Sequence, residues 1–243
     1  MNKHIYILLI ICCLLSCTSV KVLNESQNTT IQNVSLGTIG LDKDFVIEKD
    51  YNNIAIPKYE KPIKIYASLI DFNKASFKAF ENALKVQSSK INLTYNDTLD
   101  AKPKYLKLEV SDRLEVINSL QSTANKSLFE LLKNNNEAHL VTSIAIAIDQ
   151  SQLHLLANAE EIFLEGSGIK SYSINSYSDG KLQHKLKFNT GVVFAYQTSS
   201  CCWKQNDKYQ LEIVDLVENN DKCPNNTYRS SKRAEKKINY YKF

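Results

Sequence analysis

Three groups of side chains in this chain have the chemistry to form a site. They are the thiols of Cys201, Cys202 and Cys223, the imidazoles of His139, His154 and His184, and the carboxylates of Glu160, Glu161 and Glu165. Neighbouring cysteines rarely bond each other without strain. A bond from Cys201 or from Cys202 to Cys223 would close a loop of about 20 residues, contributing about 3 kcal/mol by restricting the unfolded chain. One thiol would then stay free. The alternative is three thiols packed as small hydrophobes. The paired C-x₂₋₄-C spacing of zinc sites is missing, so no metal site is expected. No two histidines have the i, i+4 spacing of a helical metal pair.

Glu161 and Glu165 are four residues apart and could bind a cation or do acid–base work if they lined a cleft. On a solvated helix face they need no such role. A thiol nucleophile at Cys201 or Cys202 needs a histidine beside it. Gly166-Ser167-Gly168 looks superficially like a nucleophile elbow. That motif requires a strand before the serine, and here a helix is expected, so the glycines read as a helix stop. A Gly-rich dinucleotide fingerprint and a P-loop are absent from the sequence. No catalytic residue and no cofactor is assigned.

The amino terminus is more informative. Asn2, Lys3 and His4 precede eleven unbroken apolar residues, Ile5 to Leu15. A membrane-spanning helix needs about 20. A short apolar run after a positive start matches an export signal. It ends in Leu14-Leu15-Ser16-Cys17, which resembles the lipobox of bacterial lipoproteins. The resemblance implies cleavage between Ser16 and Cys17, diacylation of the Cys17 thiol, and often a further palmitate-type chain on the new amino terminus. Two or three acyl chains anchor firmly where one is marginal. Thr18 and Ser19 follow, rather than the Asp that commonly retains such proteins in the inner membrane. The implied location is therefore the outer membrane of a double-membrane bacterium. An ordinary secretory signal with a nearby cysteine is the plainer alternative. Asp97-Thr98-Leu99 resembles a bacterial O-glycosylation acceptor, and Asn92-Leu93-Thr94 is a sequon in an Asn-rich chain.

Removing residues 1–16 leaves 29 basic and 26 acidic side chains. Seven of the basic ones (Lys222, Arg229, Lys232, Arg233, Lys236, Lys237, Lys242) lie beyond residue 221 with one acid, Glu235. The remainder is slightly acidic. The basic character belongs to the end of the chain, where Tyr228, Tyr240, Tyr241 and Phe243 are interleaved. Such an end can touch phosphate head groups or stay solvated. Nucleic acid is not an expected partner of an exported protein.

The elements that would position these groups follow from periodicity. Residues 17–44, the lipidated Cys17 and a Ser/Thr/Asn/Gln-rich stretch, read as a flexible tether. Ile63, Ile65, Ala67 and Leu69 alternate as a strand. Phe77, Phe80 and Leu84 give an amphipathic helix over 74–87, capped by Asp71 or Asn73. Tyr105–Val110 is a strand. Ser111 caps a helix with Leu114, Ile117 and Leu120 inward. Asn125 caps another with Leu128, Leu131 and Leu132 inward. Leu140–Ile148 has two buriable faces and reads as a central strand, its Ser143, Ala145, Ala147 face open to close approach by a helix. Gln152–Leu164 reads as a helix with Leu156, Ala159 and Phe163 inward.

Four strands follow. Ile169–Tyr177 and Lys181–Phe188 form a hairpin, with a three-residue loop that pairs Ile174 with His184. Val192–Tyr196 and Tyr209–Val214 complete the set. The expectation is one α+β domain over 45–220. It has a mixed β-sheet with three to four helices in the first part and an antiparallel strand meander in the second. A basic tail occupies 221–243.

The function class that best fits is a lipid-anchored envelope protein that binds or scaffolds. Its partners would be the membrane, through the lipid, and a protein of the envelope. A hydrolase-like envelope enzyme is the alternative. It would use residues that converge only in three dimensions.

Overall fold

The computed structural model describes residues 19–22, 25–44, 49–98, 100–168, 171–218 and 221–235. Ser16, Cys17, Leu99, Ile169 and the last eight residues lie outside the described residues. The class is α+β, with strands predominant. In chain order the strands are β1 (Ser19–Val22), β2 (Glu25–Thr29), β3 (Ile39–Asp44), β4 (Lys49–Ala55), β5 (Ile63–Asp71), β6 (Lys104–Val110), β7 (Ala138–Ala147), β8 (Glu161–Gly166), β9 (Tyr172–Ser178), β10 (Lys181–Lys187), β11 (Val192–Gln205) and β12 (Leu211–Glu218). The helices are α1 (Lys74–Leu84), α2 (Arg113–Leu120), α3 (Lys126–Asn134), α4 (Gln150–Ala157) and the single turn α5 (Ser231–Ala234).

The sheet runs β1-β2-β11-β7-β6-β5-β8-β9-β10. Two long strands organise it. β11 pairs β7 along one edge, while its other edge is shared between β2 at Ala195–Tyr196 and β12 at Ser199–Gln205. β7 likewise shares its outer edge between β6, at Ser143–Ile146, and β3, at Ala138–Leu140. The sheet therefore forks on both sides of the β7–β11 pair. All ladders between the described strands are antiparallel. Helix α1, and then α2 with α3, lead each strand back to an antiparallel neighbour. Periodicity identifies elements but does not say which way a connection returns.

Both faces of β7 are buried, as its two apolar faces require. Ala145 and Ala147 share one apolar cluster with Phe80 and Ala83 of α1 and with Phe72, Tyr105 and Phe194. The rings of Phe72, Tyr105 and Phe194 lie 4.7–5.5 Å apart. Small side chains on the strand are what allow a Phe-bearing helix so close. Asn73 starts α1 with a capping box, its Oδ1 accepting from Ser76 N at 2.9 Å and Ser76 Oγ accepting from Asn73 N at 2.9 Å. Ile144, Ile146 and Ile148 face the opposite cluster, which takes in residues of α2, α3 and α4.

Several local expectations are corrected. Residues 17–44 are not a tether from Ser19 onward: β1, β2 and β3 belong to the sheet, and Val20, Val22, Val34, Leu36 and Ile39 are buried. β2 (Glu25-Ser26-Gln27-Asn28-Thr29) contains no apolar residue, so hydrophobic alternation could not reveal it. Its Gln27 is fully buried and donates to Ser143 Oγ at 3.0 Å. Asp112, not Ser111, caps α2, accepting from Glu115 N at 2.9 Å. Val116, Ile117 and Leu120 are then buried while Leu114 is exposed.

The helix expected over 152–164 ends at Ala157, and residues 161–166 form β8 between β5 and β9. Leu156, Ala159 and Phe163 fit a helical period. Ile162 and Leu164 also fit a strand, and pairing with the edge of β5 decides between them. The β9–β10 hairpin turns on two residues, Asp179 and Gly180, both left-handed (φ 50° and 68°). A bulge after Leu182 then shifts the register, so Leu186, not His184, faces Ile174.

The end of the chain is also folded down as far as Glu235. Cys202 and Cys223 form a disulfide. Trp203 and Tyr228 exchange backbone hydrogen bonds at 2.8 and 3.0 Å. Arg229 donates to Ser200 Oγ at 2.7 Å and to Asp221 O at 2.6 Å. In α5, Ala234 is buried and Ser231 Oγ donates to Lys133 O.

Candidate functional site

A cleft of about 360 Å³ opens where three loops meet the start of the sheet fork. The first loop, 33–38, is held by Val34 and Leu36, both buried. Gly37 N donates to Val141 O and Val141 N to Thr38 O, each at 2.9 Å. The loop thereby fills the gap on β7 between the β6 and β3 ladders. Gly37 is left-handed (φ 78°), and a Cβ there would sit 2.5 Å from Leu164 Cδ2. Both facts require glycine. Thr38 Oγ1 lies 2.7 Å from Ser35 O and from Asn53 Oδ1, which ties the loop to β4.

The second loop follows β8. Ser167 and Ser171 close it, through Ser167 N donating to Ser171 O at 2.9 Å and their hydroxyls 3.2 Å apart. The third is a short 3₁₀ turn, Phe188–Thr190, in which Thr190 Oγ1 donates to Lys187 O at 2.7 Å. Ser89 Oγ reaches across to Asn189 O and Gly191 O, at 3.0 and 2.5 Å. Tyr172 forms part of the wall and donates to Pro57 O. Its ring lies 5.4 Å from that of Tyr59. Burial pushes both phenols above their ordinary range, so they stay protonated hydrogen-bond donors.

The lining is polar but carries little charge. Asn33, Asn53 and Asn189 offer amides, serines and Thr38 offer hydroxyls, and Ile56 and Phe188 supply apolar surface. Lys187 is the one charged residue among the described residues of the lining. Such a surface can hold and orient a small polar ligand.

No family model, curated protein or solved structure matches this chain.

The residues singled out in the sequence do not converge on the cleft. His139 Nδ1 lies 3.1 Å from Ser200 Oγ, His154 is exposed on α4, and His184 faces Ser176 across the β9–β10 ladder. Each of the last pair has a buried polar atom with no hydrogen-bond partner, His184 Nε2 and Ser176 Oγ. Glu160 accepts from Asp179 N at 2.9 Å, and Glu161 pairs with Lys64 at 3.0 Å. Glu165 accepts from Asn175 and Tyr177, both at 2.8 Å. These carboxylates are occupied in fastening β8 to its neighbours. Ser167 follows a strand rather than a helix, yet leads into another strand and not into the helix an elbow requires.

Cys201 is the free thiol among the described residues; it is buried, and burial pushes it up to about 12, so it is no nucleophile at neutral pH. Among the described residues, no three His, Cys, Asp or Glu side chains are placed to hold a metal, and no helix is long and apolar enough to cross a membrane.

A second polar feature was not anticipated. Lys107, in the middle of β6, is almost wholly buried, and its ammonium lies 2.6 Å from Glu25 and 2.9 Å from Glu109. Burial alone would lower its pKa; hydrogen bonds and charge from the two glutamates outweigh that and raise it. It is therefore a fixed cation, not a base. Glu218 lies close by. Desolvation, then the charges of Glu25 and Asp221, push its carboxyl up against the pull of Arg113. The sequence signal was a lysine between Leu106 and Leu108 in a strand otherwise fit for the core.

Proposed function

We propose that the protein is a lipid-anchored protein of the bacterial cell envelope, working as a binding module whose ligand occupies the cleft between residues 33–38, the Ser167–Ser171 contact and residues 187–190. The observation that carries the binding reading is the cleft's lining. Amides, hydroxyls and one ammonium from distant parts of the chain face a common space. Leu14-Leu15-Ser16-Cys17 supports the anchor, and Thr18 and Ser19 support the outer membrane. A disulfide between Cys202 and Cys223 fits an oxidising compartment.

Sheet strand β1 begins at Ser19. Two peptide steps, about 7 Å of extended chain, separate that residue from Cys17. A lipid on Cys17 would hold the domain against the bilayer rather than on a long leash. The test is Cys17→Ala in the native host, followed by fractionation and metabolic labelling with an alkyne fatty acid. The variant is expected in the soluble fraction without label. Undiminished membrane association would sink the anchor reading.

A further inference from the structure

Helix α1 and its C-cap carry three lysines, Lys74, Lys78 and Lys85, and one acid, Glu81. At about 100° per residue these four positions fall within a stripe about 60° wide. Ser76, Phe80 and Ala83, all buried, lie on the opposite side of the helix. The four charged side chains are exposed, and none makes an ion pair with a described residue. Two of the lysines oppose the helix that carries them. The first turn of a helix favours acids, and α1 has none there. Lys74 and Lys78 are instead like charges four residues apart, an unfavourable spacing.

The place of α1 in the fold supplies the counter-charge. The helix packs beside β1, and Val20 and Val22 of that strand share its apolar cluster. β1 is the terminal strand of the sheet path. A lipid on Cys17, two peptide steps before Ser19, holds this edge and the helix beside it at the bilayer surface. β10, at the other end of the path, is also basic, with Lys181 and Lys185 exposed. Charge alone does not choose between the two surfaces; the position of the chain end does.

We infer that the outer face of α1 is a membrane-docking surface, with Lys74, Lys78 and Lys85 against anionic lipid head groups. The inference rests on Cys17 carrying the lipid. Each lysine near an anionic surface strengthens association about 5-fold, about 1 kcal/mol. Three lysines against one glutamate then give about 30-fold, which fixes the orientation of a domain already held by its lipid.

The test inserts the protein, extracted from membranes in detergent, into preformed vesicles. These are phosphatidylcholine alone or with about 30% phosphatidylglycerol, which supplies the anionic surface. Flotation reports attachment. Acetylation of lysines by a succinimidyl ester, read by mass spectrometry, reports which face is covered, with the micellar protein as reference. On anionic vesicles Lys74, Lys78 and Lys85 are expected to react about 10-fold more slowly than in micelles, and to recover in about 1 M salt, where the screening length falls to about 3 Å. On neutral vesicles their slowing is expected to stay within about 2-fold, since the head-group attraction is missing. Lys181 and Lys185 are expected to react at one rate throughout.

A chain that floats while all five lysines react as in micelles overturns the α1 face and leaves the anchor standing. Slowing of Lys181 and Lys185 to the same or a greater degree overturns the assignment of the face. Slowing of the α1 lysines that is equal on neutral vesicles, or that survives salt, overturns the head-group chemistry. A chain that floats with neither vesicle overturns anchor and face together. Flotation with anionic vesicles alone, with the α1 lysines slowed, supports the face and overturns the anchor.

Discussion

The buried lysine of β6 gives the sharpest quantitative prediction. Lys107 is 4% exposed at its side chain, whereas Glu25 and Glu109 are 41% and 30% exposed. At an effective dielectric of about 20, each contact near 3 Å has a gross attraction of about 5 kcal/mol. Desolvation of the ammonium, several kcal/mol, offsets most of it. The asymmetry of exposure then sets an order among variants. Glu25→Gln with Glu109→Gln leaves a buried cation without a counter-charge and is expected to cost about 3–5 kcal/mol. Lys107→Met leaves two carboxylates that water already reaches, and Met retains the packing, so the expected cost is nearer 1–2 kcal/mol after discounting for solvent screening. The triple variant removes every charge together and is expected to lie within about 1 kcal/mol of the parent.

The assay is urea unfolding of the oxidised protein at pH 7 and low salt, with the cycle closed by the triple variant. Because the lysine is raised in the folded state, its stabilisation is complete below the unfolded value of about 10.4 and is lost as pH rises through the folded value. The cost of Lys107→Met should therefore shrink in strong alkali. A double glutamate variant no less stable than Lys107→Met, or a triple variant no better than the double, would refute the reasoning.

Three further outcomes are expected. Reduction of the Cys202–Cys223 bond should lower stability by about 3 kcal/mol, read as a fall in the urea midpoint with reductant. In the native oxidised protein, mass spectrometry should find Cys201 unlabelled by iodoacetamide; rapid labelling would contradict its burial. Glu218→Gln should be neutral or stabilising at pH 7, by less than about 1 kcal/mol, given the partial exposure of the group. A raised acid favours folding below its unfolded value of about 4.3 and loses that contribution as pH rises through the folded value. The gap between parent and variant should therefore open on going from pH 4 to neutrality, and a constant gap would exclude the raised carboxyl.

Much of the central architecture was legible because the relevant signals were strong and local. Alternation in Ile63–Leu69 and Leu106–Val110 identified β5 and β6, and Asn73 before the Phe77–Phe80 stripe identified α1. The two unlike faces of β7, both apolar enough to bury, announced its central position. What escaped was set by partners rather than by local pattern. β2 is a polar strand that becomes internal because β1 covers one edge and β11 the other. β8 satisfies two periods, and the available edge of β5 chooses. Of the thiols, spacing narrowed the bond to Cys201 or Cys202 with Cys223. The alternation of β11 decides it, since neighbours on a strand point to opposite faces and only Cys202 points toward the returning chain.

The cleft was illegible for a different reason. None of its segments carries a motif, and its polar residues are of the kinds common in any turn. Their convergence follows from the fork. Once β6 leaves β7 near Ser143 and β3 begins at Leu140, the backbone of Val141 needs another partner, and Gly37 and Thr38 supply it. That requirement draws the 33–38 loop onto the sheet. The Thr38–Asn53 contact brings β4 with it, and the Leu164 side chain beneath Gly37 places the end of β8 alongside. Ser89, reaching over from the segment after α1, pins the turn that follows Lys187. The site is thus a by-product of how two strands divide their edges among four neighbours, and it follows from the folded topology rather than from any short stretch of sequence.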